Sequence, residues 1–109
     1  MPSEQVLDQS PVVVVMFTLK GCHFCIDFKP RFQKLAAPYA DLVPIVMADA
    51  NDPKFESLAN RLNVQGVPAT FVLRKPAGMI RVDGAVPDSQ VIWLLNIAAR
   101  EMRYPNSAF

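Results

Sequence analysis

Residues 12–17 read Val-Val-Val-Val-Met-Phe, and this run narrows the possible folds more than any other stretch of the chain. β-Branched residues favour extended backbone, and an unbroken apolar run lacks the alternation of a strand with one wet face. A strand of this kind is buried on both faces, so the sheet that holds it must be covered on both sides. The run is far too short to cross a bilayer, which takes about 20 apolar residues in a helix. The cover has to come from the segments that follow.

Those segments alternate between helix and strand. Cys25, Phe28, Phe32, Leu35, Ala36 and Tyr39 recur at helical spacing and predict one apolar stripe. Pro30 removes a backbone donor inside this helix and is expected to kink it. Residues 42–48 read as a second strand. Asp52-Pro53 places a capping side chain before a proline at the first helical position, and Phe55, Leu58, Ala59 and Leu62 then share one face. Asn63 is expected to end that helix.

Residues 69–73 predict a third strand, Lys75-Pro76-Ala77-Gly78 a turn and residues 79–82 a fourth strand. Pro87-Asp88 starts a final helix that buries Val91, Leu94, Leu95, Ala98 and Met102. Ser3 caps a short N-terminal helix within residues 1–10, and residues 104–109 form a loose tail. Strands joined through a helix should run parallel, and strands joined by a tight turn antiparallel. The expectation is an α/β fold with a mixed four-stranded central sheet, helices on both of its faces and a trimmed N-terminus. A chain of 109 residues fits one domain, 1–109.

Composition acts mainly by exclusion. Lys plus Arg number 11 against 10 for Asp plus Glu, with no cationic run, so no electrostatic footprint for nucleic acid or an anionic membrane is present. The opening residues show no basic region of a secretory signal, and the expected location is cytoplasmic, with the chain acting as a monomer. Two cysteines are too few for a disulfide-rich secreted scaffold. Two residues separate them, and closing so short a loop removes little unfolded-state entropy, which makes a structural clip unattractive.

The pair points instead to chemistry. Cys22-His23-Phe24-Cys25 lies where the buried strand gives way, after Lys20-Gly21, to a helix. Thiol–disulfide exchange needs a thiolate, and a helix N-terminus offers unpaired amides and a positive dipole end worth up to about 2 kcal/mol to an anion. Cys22, at the start, is expected to be the exposed nucleophile. Cys25, one turn on and within the apolar stripe, is expected to be the resolving thiol that attacks the mixed disulfide.

The same pair admits other readings. It is half of a zinc site, but structural zinc takes four ligands and the chain has two cysteines and one histidine, so no metal is expected. A cluster bridging two chains through Cys22 of each, or an inert buried pair, are further alternatives; the strand-to-helix position argues against the latter. His23 either favours the thiolate as an imidazolium, making the disulfide more oxidising, or is an exposed spacer. Phe24 either contacts substrate or packs at the helix start. Lys20 either adds charge near the sulfur or is an ordinary surface lysine.

From Val12 to Ala99 the chain resembles the thioredoxin superfamily. Pro30, five residues after Cys25, matches the family's helix proline. Gly66-Val67-Pro68-Ala69-Thr70 resembles its cis-proline segment, and Asp83-Gly84-Ala85 resembles the glycine that it places near the substrate groove. The resemblance implies that Pro68 is cis and packs over the cysteines, that the Val67 backbone pairs with an extended substrate, and that Gly84 borders the groove. It also implies a thiol–disulfide oxidoreductase reducing disulfide-bearing proteins. No cofactor would be bound beyond a reversible Cys22–Cys25 disulfide, and a thioredoxin reductase or glutathione would donate the electrons.

Departures from the family pattern are specific. Gly21 replaces the tryptophan before the first cysteine, and His23-Phe24 replace Gly-Pro. Met16 replaces a buried aspartate six residues before Cys22, and its lysine partner falls on Met47 when Asp49 is used to align the segment. Deprotonation of Cys25 then needs another route. The trimmed N-terminus and the aromatic residue before Cys25 are similar to glutaredoxins. Gly84 and Asp88 echo their glutathione-binding glycine and acid, although Asp88 also serves as a helix cap. A glutathione-dependent reductase, an oxidase or isomerase, and a non-catalytic partner-binding subunit on the same fold all stay open.

Overall fold

Four strands, β1 (Val12–Thr18), β2 (Ile45–Asp49), β3 (Ala69–Arg74) and β4 (Gly78–Asp83), and three helices, α1 (His23–Ala36), α2 (Pro53–Arg61) and α3 (Asp88–Arg103), make up the computed structural model. The structure describes residues 9–75 and 78–103. The expected N-terminal helix before residue 9, Pro76-Ala77 of the expected turn and the tail at 104–109 lie outside the described residues.

The sheet order is β2-β1-β3-β4. β1 pairs parallel with β2 and antiparallel with β3, and β3 pairs antiparallel with β4. The β1–α1–β2 crossover and the short β3–β4 connection dictate those directions, as the order of elements predicts. β1 is therefore an inner strand, paired along both edges.

Its alternate side chains enter two separate cores. Val12, Val14 and Met16 pack with Phe28 and Phe32 of α1 and with Leu94 and Leu95 of α3. Val13, Val15 and Phe17 pack with Phe55 and Leu58 of α2 and with Phe71 of β3. Each such side chain contributes about 1.5–3 kcal/mol over leaving it in water. Burying both faces of β1 fixes its register, because a slip by one residue would exchange the two cores. The C-terminal end of β1, where the cysteine motif begins, is thereby held in place. No helix among the described residues is long and apolar enough to cross a membrane.

Two boundaries differ from expectation. The second strand begins at Ile45 rather than Leu42, and Leu42 is 54% exposed. The amides of Leu42 and Val43 both donate to the Tyr39 carbonyl, and Pro44 has no amide to give a ladder. Val43 is still buried, so its apolarity serves packing without pairing. The helix that carries the cysteines ends at Ala36, and a single 3-10 turn, Ala37–Tyr39, continues it. Pro38 lies in that turn and cannot sustain the α-helical bonding. Pro30, in contrast, sits inside α1 without ending it. Asn63 follows α2 with φ of 55°, a left-handed conformation that suits asparagine at a helix end.

Candidate active site

The chain leaves β1 and turns through Leu19-Lys20-Gly21. Gly21 has φ of +83°, where a side chain would be strained, so the turn calls for glycine where relatives of the superfamily carry tryptophan. The Cys22 amide then donates to the Leu19 carbonyl at 3.1 Å.

Cys22 is the N-cap of α1, with extended backbone at φ −69° and ψ 118°. Its Sγ accepts the Cys25 amide at 3.2 Å, and its carbonyl accepts the Ile26 amide at 3.3 Å. The sulfur thus does the work that a serine or aspartate oxygen usually does at this position. No acidic residue occupies the first turn of α1, so nothing there competes for the positive dipole end. The Cys22 thiol also donates to the Val67 carbonyl at 3.7 Å, which ties the cysteine motif to the loop before β3.

Cys22 is partly exposed and Cys25 is buried, and both are thiols. Burial, first of all, pushes the Cys25 thiol above its ordinary value, and the hydrogen bond and charge of Cys22 add to this. The Leu19 backbone and the Lys29 ammonium push the other way and are outweighed. The structure therefore gives the two sulfurs unequal surroundings: one half-open at a helix end, the other shut in and holding its proton.

The Val67–Pro68 peptide bond is cis. Pro68 is buried, and its carbonyl accepts the Gly84 amide at 2.9 Å. Gly84 has φ of +91°, again a conformation for glycine. Val67, Pro68, Arg81, Asp83 and Gly84 line a groove of about 390 Å³. His23 and Phe24 stand on the exposed side of the motif, ring edge to face at 6.0 Å, and Phe24 is 66% exposed.

Cys22, Cys25 and Val67 therefore meet directly, Gly84 joins them through Pro68, and His23 and Phe24 flank them. Beneath the first turns of α1 the sheet is apolar. Met16 is fully buried, and its cross-strand neighbours are Met47 on β2 and Thr70 on β3. The register thus sets Met47 opposite Met16, the pairing inferred from sequence. The Thr70 hydroxyl is buried, with no hydrogen-bond partner among the described residues.

Sequence reasoning missed two arginines that brace the segments around the groove. Arg31 on α1 donates to the Val86 carbonyl at 2.7 Å and to Asp88 at 2.6 Å, and its guanidinium lies 4.9 Å from the Phe28 ring centroid. It fixes the segment after Gly84 to the helix that carries the cysteines. Arg81 bonds to Asp83 at 2.9 Å and to the Leu62 carbonyl at 3.1 Å, bracing the loop that leads to Val67. Only the Arg81–Asp83 pair is local in sequence; the partners at Val86, Asp88 and Leu62 lie 19 to 57 positions away and leave no local signal. Among the described residues, no three His, Cys, Asp or Glu side chains gather as a metal site would require.

Comparison with known proteins bears on the family and the fold that carry these residues. The family model for thioredoxin matches residues 3–96. The chain is 27% identical over 100 residues to the chloroplastic thioredoxin-like protein HCF164 of Arabidopsis thaliana, covering 91% of this chain and 38% of that protein. It is 28% identical over 80 residues to chloroplastic thioredoxin Y of Oryza sativa subsp. japonica, covering 73% of this chain and 46% of that protein. The chain spans less than half the length of either relative. Among solved structures it resembles the thioredoxin of Malassezia sympodialis, with a TM-score of 0.75 and 20% identity over 91% of this chain and 90% of that one. It also resembles chloroplastic thioredoxin z, with a TM-score of 0.68 and 22% identity over 92% of each chain. These likenesses bear on the fold, a mixed four-stranded sheet between helices, while the family model spans most of the sequence: the chain belongs to the thioredoxin family.

Proposed function

We propose that the chain is a thiol–disulfide oxidoreductase that reduces protein disulfides by dithiol exchange through Cys22 and Cys25. The Cys22 thiolate attacks one sulfur of a substrate disulfide, forming a mixed disulfide and releasing the other substrate sulfur as a thiolate, which takes up a proton. Cys25 then loses its proton and attacks the Cys22 sulfur. The Cys22–Cys25 disulfide forms, the second substrate thiol leaves, and two electrons have passed to the substrate. A thioredoxin reductase or glutathione returns those electrons, and the chain works as a monomer in the cytoplasm.

One observation carries this reading. The Cys22 sulfur is held as a helix N-cap by the Cys25 amide, half-open to solvent and within reach of the Val67 carbonyl. The sulfur thus stands at an accessible helix end, and the groove beside Val67 has room for an extended peptide. The buried Cys25, kept protonated, is suited to wait until the mixed disulfide has formed.

Phe24 and Ile26, each 66% exposed beside the cysteines, favour a second reading: a docking subunit whose apolar surface matters more than its thiols. Reduction of insulin disulfides by the reduced chain separates the two. A reductase turns insulin over, and the Cys22→Ser, Cys25→Ser double variant loses that turnover. A docking subunit shows no such activity, and the double variant still binds its partner.

A further inference from the structure

Sheet order divides the surroundings of Cys22 into two sides. The groove containing Val67 and Gly84 lies over β3 and β4. On the other side, over β2, a cleft of about 610 Å³ opens against both cysteines and runs to the start of α2. Its lining includes Lys20 from the turn before Cys22, Lys29 from α1 and Lys54 from α2. Ion pairs among the described residues fall on Arg31, Arg74 and Arg81, and none on these three lysines.

The cleft also contains two carboxylates, Asp49 and Asp52. Both are engaged by backbone: Asp49 accepts the Asn51 amide at 2.8 Å, and Asp52 caps α2 by accepting the Lys54 amide at 3.0 Å. Lysines outnumber carboxylates three to two in the cleft, and none of the three ammonium groups forms an ion pair among the described residues. Ile26, Met47 and Phe55 supply apolar wall between them. Long lysine side chains around apolar surface suit a ligand that brings carboxylates and apolar side chains together, and they disfavour a basic one.

We propose that this cleft recognises an acidic polypeptide segment next to the disulfide that Cys22 attacks. The inference rests on the dithiol reading of Cys22 and Cys25 and adds the substrate class. A polypeptide is the fitting occupant because Cys22 stands between the two sides. A chain that crosses it has residues against Val67 on one side and residues in the lysine cleft on the other. A small disulfide would reach only one of them.

Three synthetic peptide disulfides test this, identical except for Glu, Gln or Lys at the positions flanking the cysteine. The ratio of kcat/KM values isolates the cleft, because the thiol chemistry is common to all three. The expected order is Glu over Gln over Lys, with Glu over Gln by about 5-fold at low salt and the gap shrinking sharply near 0.5 M salt. Lys54→Gln should reduce the Glu-to-Gln ratio by about 2- to 5-fold, the range of one exposed ion pair. Lys34→Gln, on the last turn of α1 outside the cleft, should leave it unchanged.

Binding of thioether versions of the same peptides to Cys22→Ser, followed by fluorescence anisotropy, reads the cleft without any redox step. Equal affinity for the Glu and Gln peptides, or an unaltered ratio in Lys54→Gln, would overturn the proposal. Preferential binding of the Glu peptide with no reduction of any peptide would support the cleft and remove the reductase reading instead.

Discussion

Replacing Met16 by aspartate restores the acid that the thioredoxin superfamily carries beneath its cysteines, and this chain should resist it. Met16 is fully buried between Met47 and Thr70, in the core shared with Phe28 and Phe32. Removing its side chain forfeits about 1.5–3 kcal/mol of apolar burial. A carboxyl group left there without adequate donors costs about 1–3 kcal/mol more, even when it takes up a proton. The Thr70 hydroxyl offers at most one bond. Met16→Asp should therefore lose about 3–5 kcal/mol, a large part of the 5–15 kcal/mol typical of a domain. Met47 is half-buried and lines the cleft, so a lysine there can direct its ammonium toward water while facing residue 16. Met16→Asp with Met47→Lys should recover about 1–2 kcal/mol relative to the sum of the single variants. Urea denaturation of the reduced proteins at neutral pH gives these values, with Met16→Leu as a control that costs under about 1.5 kcal/mol. A loss of less than about 1 kcal/mol for Met16→Asp would refute the view that this row is sealed and apolar.

Other expectations are simpler to test. Cys25→Ser should hold substrates as stable mixed disulfides on non-reducing gels, whereas Cys22→Ser should hold none; equal trapping would reverse or dissolve the assigned roles. Because burial and Cys22 raise the Cys25 thiol, the folded reduced chain binds that proton more tightly than the unfolded chain does. The associated stability is complete below the ordinary thiol range and is lost as pH rises through the folded value, so urea midpoints of the reduced form should fall from about pH 7 to about pH 10. A flat profile across that window contradicts the shift. Arg31→Ala breaks the bonds to Val86 and Asp88, whose exposed setting limits the loss to about 1 kcal/mol. Steady-state kinetics should show a raised KM with kcat nearly kept, because the segment after Gly84 loosens while the cysteines stay in place.

Much of the architecture was legible because local pattern and global position agree. The run at residues 12–17 announced a central strand, and Asp52-Pro53 announced α2. The misplaced start of β2 shows where that agreement fails: Leu42 and Val43 look like strand residues, but their amides are used in a turn, and Pro44 has no amide to give, although its carbonyl accepts the Val14 amide at 2.9 Å. The cysteine pair was readable from spacing and from its place between strand and helix. Its wider surroundings were not. Arg31 reaches a carbonyl 55 positions away, and the cleft collects Lys20, Lys29 and Lys54 from three separate segments. Tertiary packing alone brings such groups together. The pairing of Met16 with Met47 lay between these cases, accessible through resemblance and then given directly by the parallel register of β1 and β2.

On the proposed function, Cys22 and Cys25 form one reversible two-electron couple working in the reducing direction. Its most direct test is the reduction potential, obtained by equilibrating the chain with glutathione buffers and weighing the quenched species by mass spectrometry. A reducing couple should show a single transition between dithiol and Cys22–Cys25 disulfide at about −270 to −220 mV, the span of thioredoxins and glutaredoxins. A value near about −180 to −120 mV, or no such transition at all, would contradict it.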